Sequence, residues 1–156
     1  MKYFTAVVLV LLLAGCLAKP NEVSEERRIV EPYLERKGYE IVSYEGMAER
    51  YELTRDKLTN LPYMIFWGLQ SGDISQYLGR TIQVEAFTVR NHPLAKVNVH
   101  VYVYMDGAEV IGGTSFPEGK EDEDGGYWNL EGKSLEEIQP KSFQEWRADW
   151  MAKYAE

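Results

Sequence analysis

The chain has 156 residues and carries 25 acidic against 17 basic side chains, a net charge of −8 at pH 7. That length holds one domain with a real core and is short for two. A surface this acidic repels phosphate backbones and anionic lipid headgroups alike, which argues against nucleic-acid binding and against docking on a membrane through basic patches.

Lys2 is the only charge ahead of an apolar run over residues 6–14, and charged residues resume at Lys19 and Glu22. A helix needs about 20 apolar residues to cross a bilayer, so the run reads as a secretion signal over residues 1–15 rather than as a membrane span. Leu13-Ala14-Gly15-Cys16 then resembles the lipobox of bacterial lipoproteins, in which a diacylglyceryl group is attached to the cysteine thiol before a peptidase cuts in front of it. Cys16 is the only cysteine in the chain, and lipidation removes the liability of an unpaired thiol in an oxidising compartment. The resemblance implies a location at the cell membrane, lipid-anchored on its extracytoplasmic face. Residues 16–21, with Lys19 and Pro20, form the lipidated cysteine and a short tether, and residues 22–156 a single domain.

Within that domain Ser24 caps a first helix whose apolar stripe is Ile29, Val30, Tyr33 and Leu34 and whose end is set by Gly38. Pro32 either kinks this helix or starts it afresh. Residues 39–53 are rich in β-formers, and Glu45-Gly46 predicts a hairpin with its second arm at 49–54. A helical pattern follows over 54–70, capped by Thr54 or Asn60, with Pro62 in a first turn ahead of Tyr63, Met64, Ile65, Phe66, Trp67 and Leu69. This aromatic concentration suits either a buried helix or one wall of a ligand cleft. Residues 71–79 form a turn or short helix packed through Tyr77 and Leu78.

The sheet is the clearest part. Residues 81–89 alternate Ile82, Val84 and Ala86 against Gln83 and Glu85. Val97, Val99, Val101, Val103 and Met105 take every second position, which places them on one face of a strand, with Asn98, His100, Tyr102 and Tyr104 on the other. Asp106-Gly107 predicts a two-residue hairpin turn with positive φ at both central positions, and residues 91–96 connect the preceding strand, giving three neighbouring antiparallel strands. Gly112-Gly113 inside the next strand marks a bulge or a close approach of backbone. After an acidic loop over 117–126, Ser134 and Ser142 cap two helical segments, and Phe143, Trp146 and Trp150 share one helical face directed at the sheet. The predicted fold is α+β, an antiparallel β-sheet with helices packed on one face.

Catalytic and metal motifs are sparse. His92, before Pro93, suits a structural or solvent-facing turn position. His100 lies on the polar face of its strand and is the other candidate base for a nucleophilic triad. No cofactor motif and no HExxH or CxxC ligand pattern for zinc is present. Glu118, Glu121, Asp122, Glu123 and Asp124 offer hard oxygen ligands, but Gly126 and Lys133 fall where a calcium loop requires ligands. Tyr102, Tyr104, Tyr127 and Trp128 form a candidate stacking surface for a sugar or peptide.

From the leading helix through Gly112-Gly113 to Gly126-Tyr127-Trp128, the domain resembles small lipoproteins of Gram-positive bacteria whose domain has no assigned function. The reading is therefore a tethered binding or accessory domain for an envelope protein or peptide. Its alternatives are an envelope hydrolase acting on cell-wall material and a calcium-binding structural accessory.

Overall fold

The computed structural model describes residues 24–93, 95–119 and 126–155. The signal segment, Cys16, the tether and the acidic cluster from Glu121 to Asp124 lie outside the described residues.

The first helix, α1 (Glu25–Arg36), begins where the Ser24 side chain accepts a hydrogen bond from the Arg27 N–H at 3.2 Å. It ends just ahead of Gly38, whose φ of 91° continues no helix. Pro32 sits inside it without restarting it, at the cost of one backbone donor.

Residues 40–52 correct the predicted hairpin. They form one strand, β1 (Glu40–Glu52), paired along its length with β2 (Thr81–Arg90). Gly46, at φ 92°, serves a bulge and not a turn: the register shifts between Ile41 and Ser43, between Tyr44 and Gly46, and again between Met47 and Glu49. Each shift adds a residue on one side of the ladder and bends the strand. Repeated bulges also make this edge a poor template for pairing with another chain.

The predicted helix over 54–70 is two. Thr54 caps α2 (Arg55–Thr59), and α3 (Tyr63–Gly68) starts after Pro62, which stands at the cap and not in the first turn. A 3₁₀ turn (Ile74–Tyr77) leads into β2. Next come β3 (Val99–Asp106) and β4 (Glu109–Pro117), joined by the two-residue turn Gly107-Ala108. That turn lies one residue later than expected, and only Gly107 has positive φ, at 60°, which a turn with glycine at its first central position requires. Val97 falls before β3 and is 54% exposed. A short β5 (Trp128–Asn129), then α4 (Leu135–Ile138) and α5 (Phe143–Tyr154), complete the chain. Both final helices open with a capping box, Ser134 with Glu137 and Ser142 with Glu145.

The sheet is a meander in the order β1-β2-β3-β4-β5, every pair antiparallel. The expected class holds, an α+β fold with helices packed against one face of an antiparallel sheet: of the described helices, α2, α3, α4 and α5 share that face, and α1 alone lies on the other. Leu58 of α2, Trp67 of α3, Leu135 of α4, and Trp146, Trp150 and Tyr154 of α5 gather with Ile82, Val84 and Tyr104. The α5 stripe reaches α2 as well as the sheet, since the Trp150 indole donates to the Leu58 carbonyl at 2.7 Å. Phe143, at the start of that stripe, stays 38% exposed.

On the opposite face Val99, Val101, Val103 and Met105 are fully buried, and Val30 and Leu34 of α1 lie against them. Glu85 shares this face, opposite Val103, and is likewise fully buried. It is kept in place by the Tyr44 hydroxyl, donating at 2.6 Å, and the Gln83 amide, donating at 2.7 Å. These bonds replace the water a buried carboxylate loses.

The Gly112-Gly113 pair meets both expectations placed on it. The β3/β4 register shifts between Tyr104 and Met105, and the Gln70 side chain accepts from the Gly113 N–H at 2.9 Å while donating to its carbonyl at 3.1 Å. A Cβ on Gly112 would stand 2.1 Å from Gln70 Oε1, and one on Gly113 2.3 Å from the Tyr102 carbonyl oxygen. Glycine is required at both positions.

His92 is structural: 5% exposed, its ring stacks on Tyr39 at 5.4 Å and 13°. Burial holds its pKa below the ordinary value of 6.5. Because the folded pKa lies under the unfolded one, the unfolded chain binds more protons as pH falls, so this contribution is complete above 6.5 and is lost on acidification. His92→Phe keeps the stacking and removes the titration. Its unfolding free energy is expected to fall less steeply than that of the parent between pH 6.5 and 5, and equal slopes in urea titrations would contradict this.

A candidate aromatic ligand site

The face of β3 that carries Tyr102 and Tyr104 does not close completely against the helices. It borders a cavity of about 400 Å³ whose walls include Tyr51, Tyr63, Phe66, Tyr102, Tyr104, Phe116 and Tyr127. The register explains the gathering. Tyr102 pairs with Thr114, His100 with Phe116, and Tyr104 with Val84, so alternate residues of three strands face one way. On β1, Glu49 pairs with Val84 and Tyr51 with Ile82, which brings both to the same face. Helix α3 contributes Tyr63 and Phe66 from its first turn, while Met64 and Trp67 of the same helix are buried in the core. One short helix therefore turns one side to the core and the other to the cavity.

The rings form a linked series. Tyr51 meets Tyr63 edge to face at 5.1 Å, Tyr63 meets Phe66 at 6.2 Å, and Phe66 meets Tyr127 at 4.8 Å. Tyr127 meets Phe116 at 5.8 Å, and Phe116 stacks on Tyr102 at 5.8 Å and 14°. Edge-to-face contacts match the positive rim of one ring to the negative face of the next, each contributing about 0.5–1.5 kcal/mol beyond burial. Six aromatics from β1, α3, β3, β4 and the segment before β5 thus support one another around an open volume.

The polar groups at the wall are mostly committed to the protein. The Tyr104 hydroxyl, fully buried, pairs with Thr114 Oγ1 at 3.1 Å, and burial pushes its pKa well above that of free tyrosine. The Tyr51 hydroxyl accepts from the Trp67 indole at 3.1 Å, and burial raises its pKa too. Glu49 is the charged side chain among the lining residues, and its Oε1 accepts from the Tyr63 hydroxyl. Lys57 of α2 stands outside this lining, with Nζ 3.9 Å from the centre of the Tyr63 ring and 4.8 Å from that of Tyr51.

Three of the four stacking residues expected from sequence, Tyr102, Tyr104 and Tyr127, come together here. Trp128 does not: it pairs with Ser115, on the valine side of β4, and borders an adjoining groove with Pro62, Ile65 and Leu135. Sequence reasoning missed Glu49, Tyr51, Phe116 and Thr114. Only the alternation of Thr114 and Phe116 on a strand already paired with β3 pointed to the last two.

His100 lies beyond the cavity wall. Its Nδ1 is 3.3 Å from Thr88 Oγ1, and that hydroxyl donates to Glu45 Oε1 at 2.7 Å. The order of groups is imidazole, hydroxyl, carboxylate, whereas a nucleophilic triad needs the imidazole in the middle to take the hydroxyl proton. Thr88 is also only 6% exposed. The carboxylates follow the same trend, with Glu49 at the cavity and Glu85 buried on the opposite face. Among the described residues no group of three or more His, Cys, Asp or Glu side chains converges as metal ligands do.

Compared with protein-family models, curated proteins and solved structures, the chain matches none.

Proposed function

We propose that this protein is a membrane-tethered extracytoplasmic lipoprotein, anchored through Cys16, whose domain is a non-enzymatic accessory that binds a small ligand or the side chain of an envelope peptide in its aromatic cavity. The observation that carries the binding half is the cavity: a concave volume walled by aromatic rings and edged by tyrosine hydroxyls, Thr114 and Glu49 has the composition of a ligand pocket. Its walls come from a rigid sheet and two packed elements, so little ordering entropy opposes binding. The tether supports the same reading, because confinement at a membrane raises the effective concentration of the domain near envelope partners and makes a modest affinity useful. A hydrolase would need paired carboxylates or an activated nucleophile at the cavity, and Glu49 stands there as a single carboxylate.

The test is a thermal-shift panel of amines, amino acids and monosaccharides on the purified protein and on Tyr102→Ala. A true ligand at 100 times its Kd stabilises by about 2.7 kcal/mol, and a domain of this size then gains roughly 5–10 °C in Tm. The shift is expected in the parent and absent in a Tyr102→Ala protein with unchanged far-ultraviolet circular dichroism. A panel that moves both proteins equally, or neither, counts against the reading.

A further inference from the structure

We infer that the cavity selects a small organic cation, an alkylammonium or quaternary ammonium group, held by the tyrosine rings and Glu49. The inference rests on the cavity being the ligand site and names the class of its occupant.

Three observations converge on positive charge. The wall is built from rings whose faces are the negative end of an aromatic quadrupole, and its ionic member is a carboxylate, Glu49, which engages Tyr63 through Oε1. An anion would face that carboxylate directly, since the one ionic group among the described lining residues is Glu49 and Lys57 stands outside them. The chain itself supplies a worked case, since the Lys57 ammonium already sits against Tyr63 and Tyr51 at 3.9 and 4.8 Å from the ring centres. Two members of the aromatic wall thus accept an alkylammonium in the folded protein. A net charge of −8 also raises the local concentration of cations around the domain.

The hydrogen-bonding pattern disfavours the neutral polyhydroxyl alternative. The Tyr104 and Thr114 hydroxyls are paired with each other, Tyr51 is engaged by Trp67, and Tyr63 by Glu49. A sugar entering here would meet hydroxyls already turned toward protein partners, so it recovers fewer bonds from these four groups than from free hydroxyls. A methylated ammonium makes no such demand, because it needs ring faces and one negative charge.

Titration calorimetry of the full-length protein in detergent with choline and with its neutral isostere 3,3-dimethylbutan-1-ol tests the inference. Choline is expected to bind about ten-fold more tightly than the isostere. Glu49→Gln, which keeps an acceptor for Tyr63, is expected to weaken choline about five-fold and leave the isostere unchanged. Lys57→Met, which removes a competing positive charge beside the same rings, is expected to tighten choline. Equal binding of the two probes, or indifference of choline to Glu49→Gln, overturns the selection for charge while leaving the cavity as a site. Failure of choline to bind, alongside Tyr102-dependent stabilisation by a neutral member of the panel, overturns the cation class alone.

Discussion

Replacing Trp67 by alanine is expected to lower the unfolding free energy by about 3–5 kcal/mol. Trp67 is fully buried at the centre of the helix-covered face, its ring 5.6 Å from Tyr104 and 5.9 Å from Tyr77. Truncation removes the largest fully buried side chain of that core and leaves a void which helices held by Trp146, Trp150 and Leu58 can only partly close. A second cost follows, because the indole N–H is the donor to the Tyr51 hydroxyl, and a buried hydroxyl left without its donor carries a desolvation penalty. Urea unfolding of parent and variant measures the difference, equivalent to a fall in Tm of roughly 10–20 °C for a domain of this size. A loss below about 1 kcal/mol would mean that Trp67 is not the keystone of this packing.

The other large effect concerns location. Cys16→Ser is expected to move the protein from the membrane to the soluble fraction of a bacterial host, or to leave it unprocessed with its leader attached. A hydroxyl does not replace the thiol as acceptor of the diacylglyceryl group. Each buried methylene of an acyl chain contributes about 0.8 kcal/mol, and a single chain binds only marginally, so the proposed attachment calls for the two chains of a diacylglyceryl anchor. Salt washing separates this from electrostatic adsorption, which an acidic domain makes unfavourable in any case. The intact mass of the parent should show the adduct on Cys16. A processed Cys16→Ser protein that stays as firmly membrane-bound as the parent would remove the anchor from the account.

What was legible in the sequence follows the strength of local signals. Period-two alternation over Val99, Val101, Val103 and Met105 set the strand and its two faces because one face is wholly buried. The caps at Ser24, Ser134 and Ser142 were equally readable, since each side chain satisfies backbone donors within its own first turn. Residues 45–46 misled because a positive-φ glycine serves a hairpin turn and a bulge equally well, and only the partner strand decides. Glu85 gave no sign of its burial, because the alternation of β2 looks half-solvated until α1 covers the valine face. Tyr102, Tyr104 and Tyr127 stood out as aromatics, but their convergence with Glu49 and Tyr63 depends on pairing across four strands and a helix, a non-local property.

The central claim, that the aromatic cavity is where this domain meets its ligand, is tested most directly by mapping amide shifts of the isotopically labelled protein as a stabilising member of the panel is added. The account predicts shifts concentrated at Glu49, Tyr63, Phe66, Tyr102, Thr114 and Phe116, with α1 and the valine face of the sheet unmoved. Shifts centred on α1, on the groove beside Trp128 or on the surface of α5 would place the ligand elsewhere and contradict it.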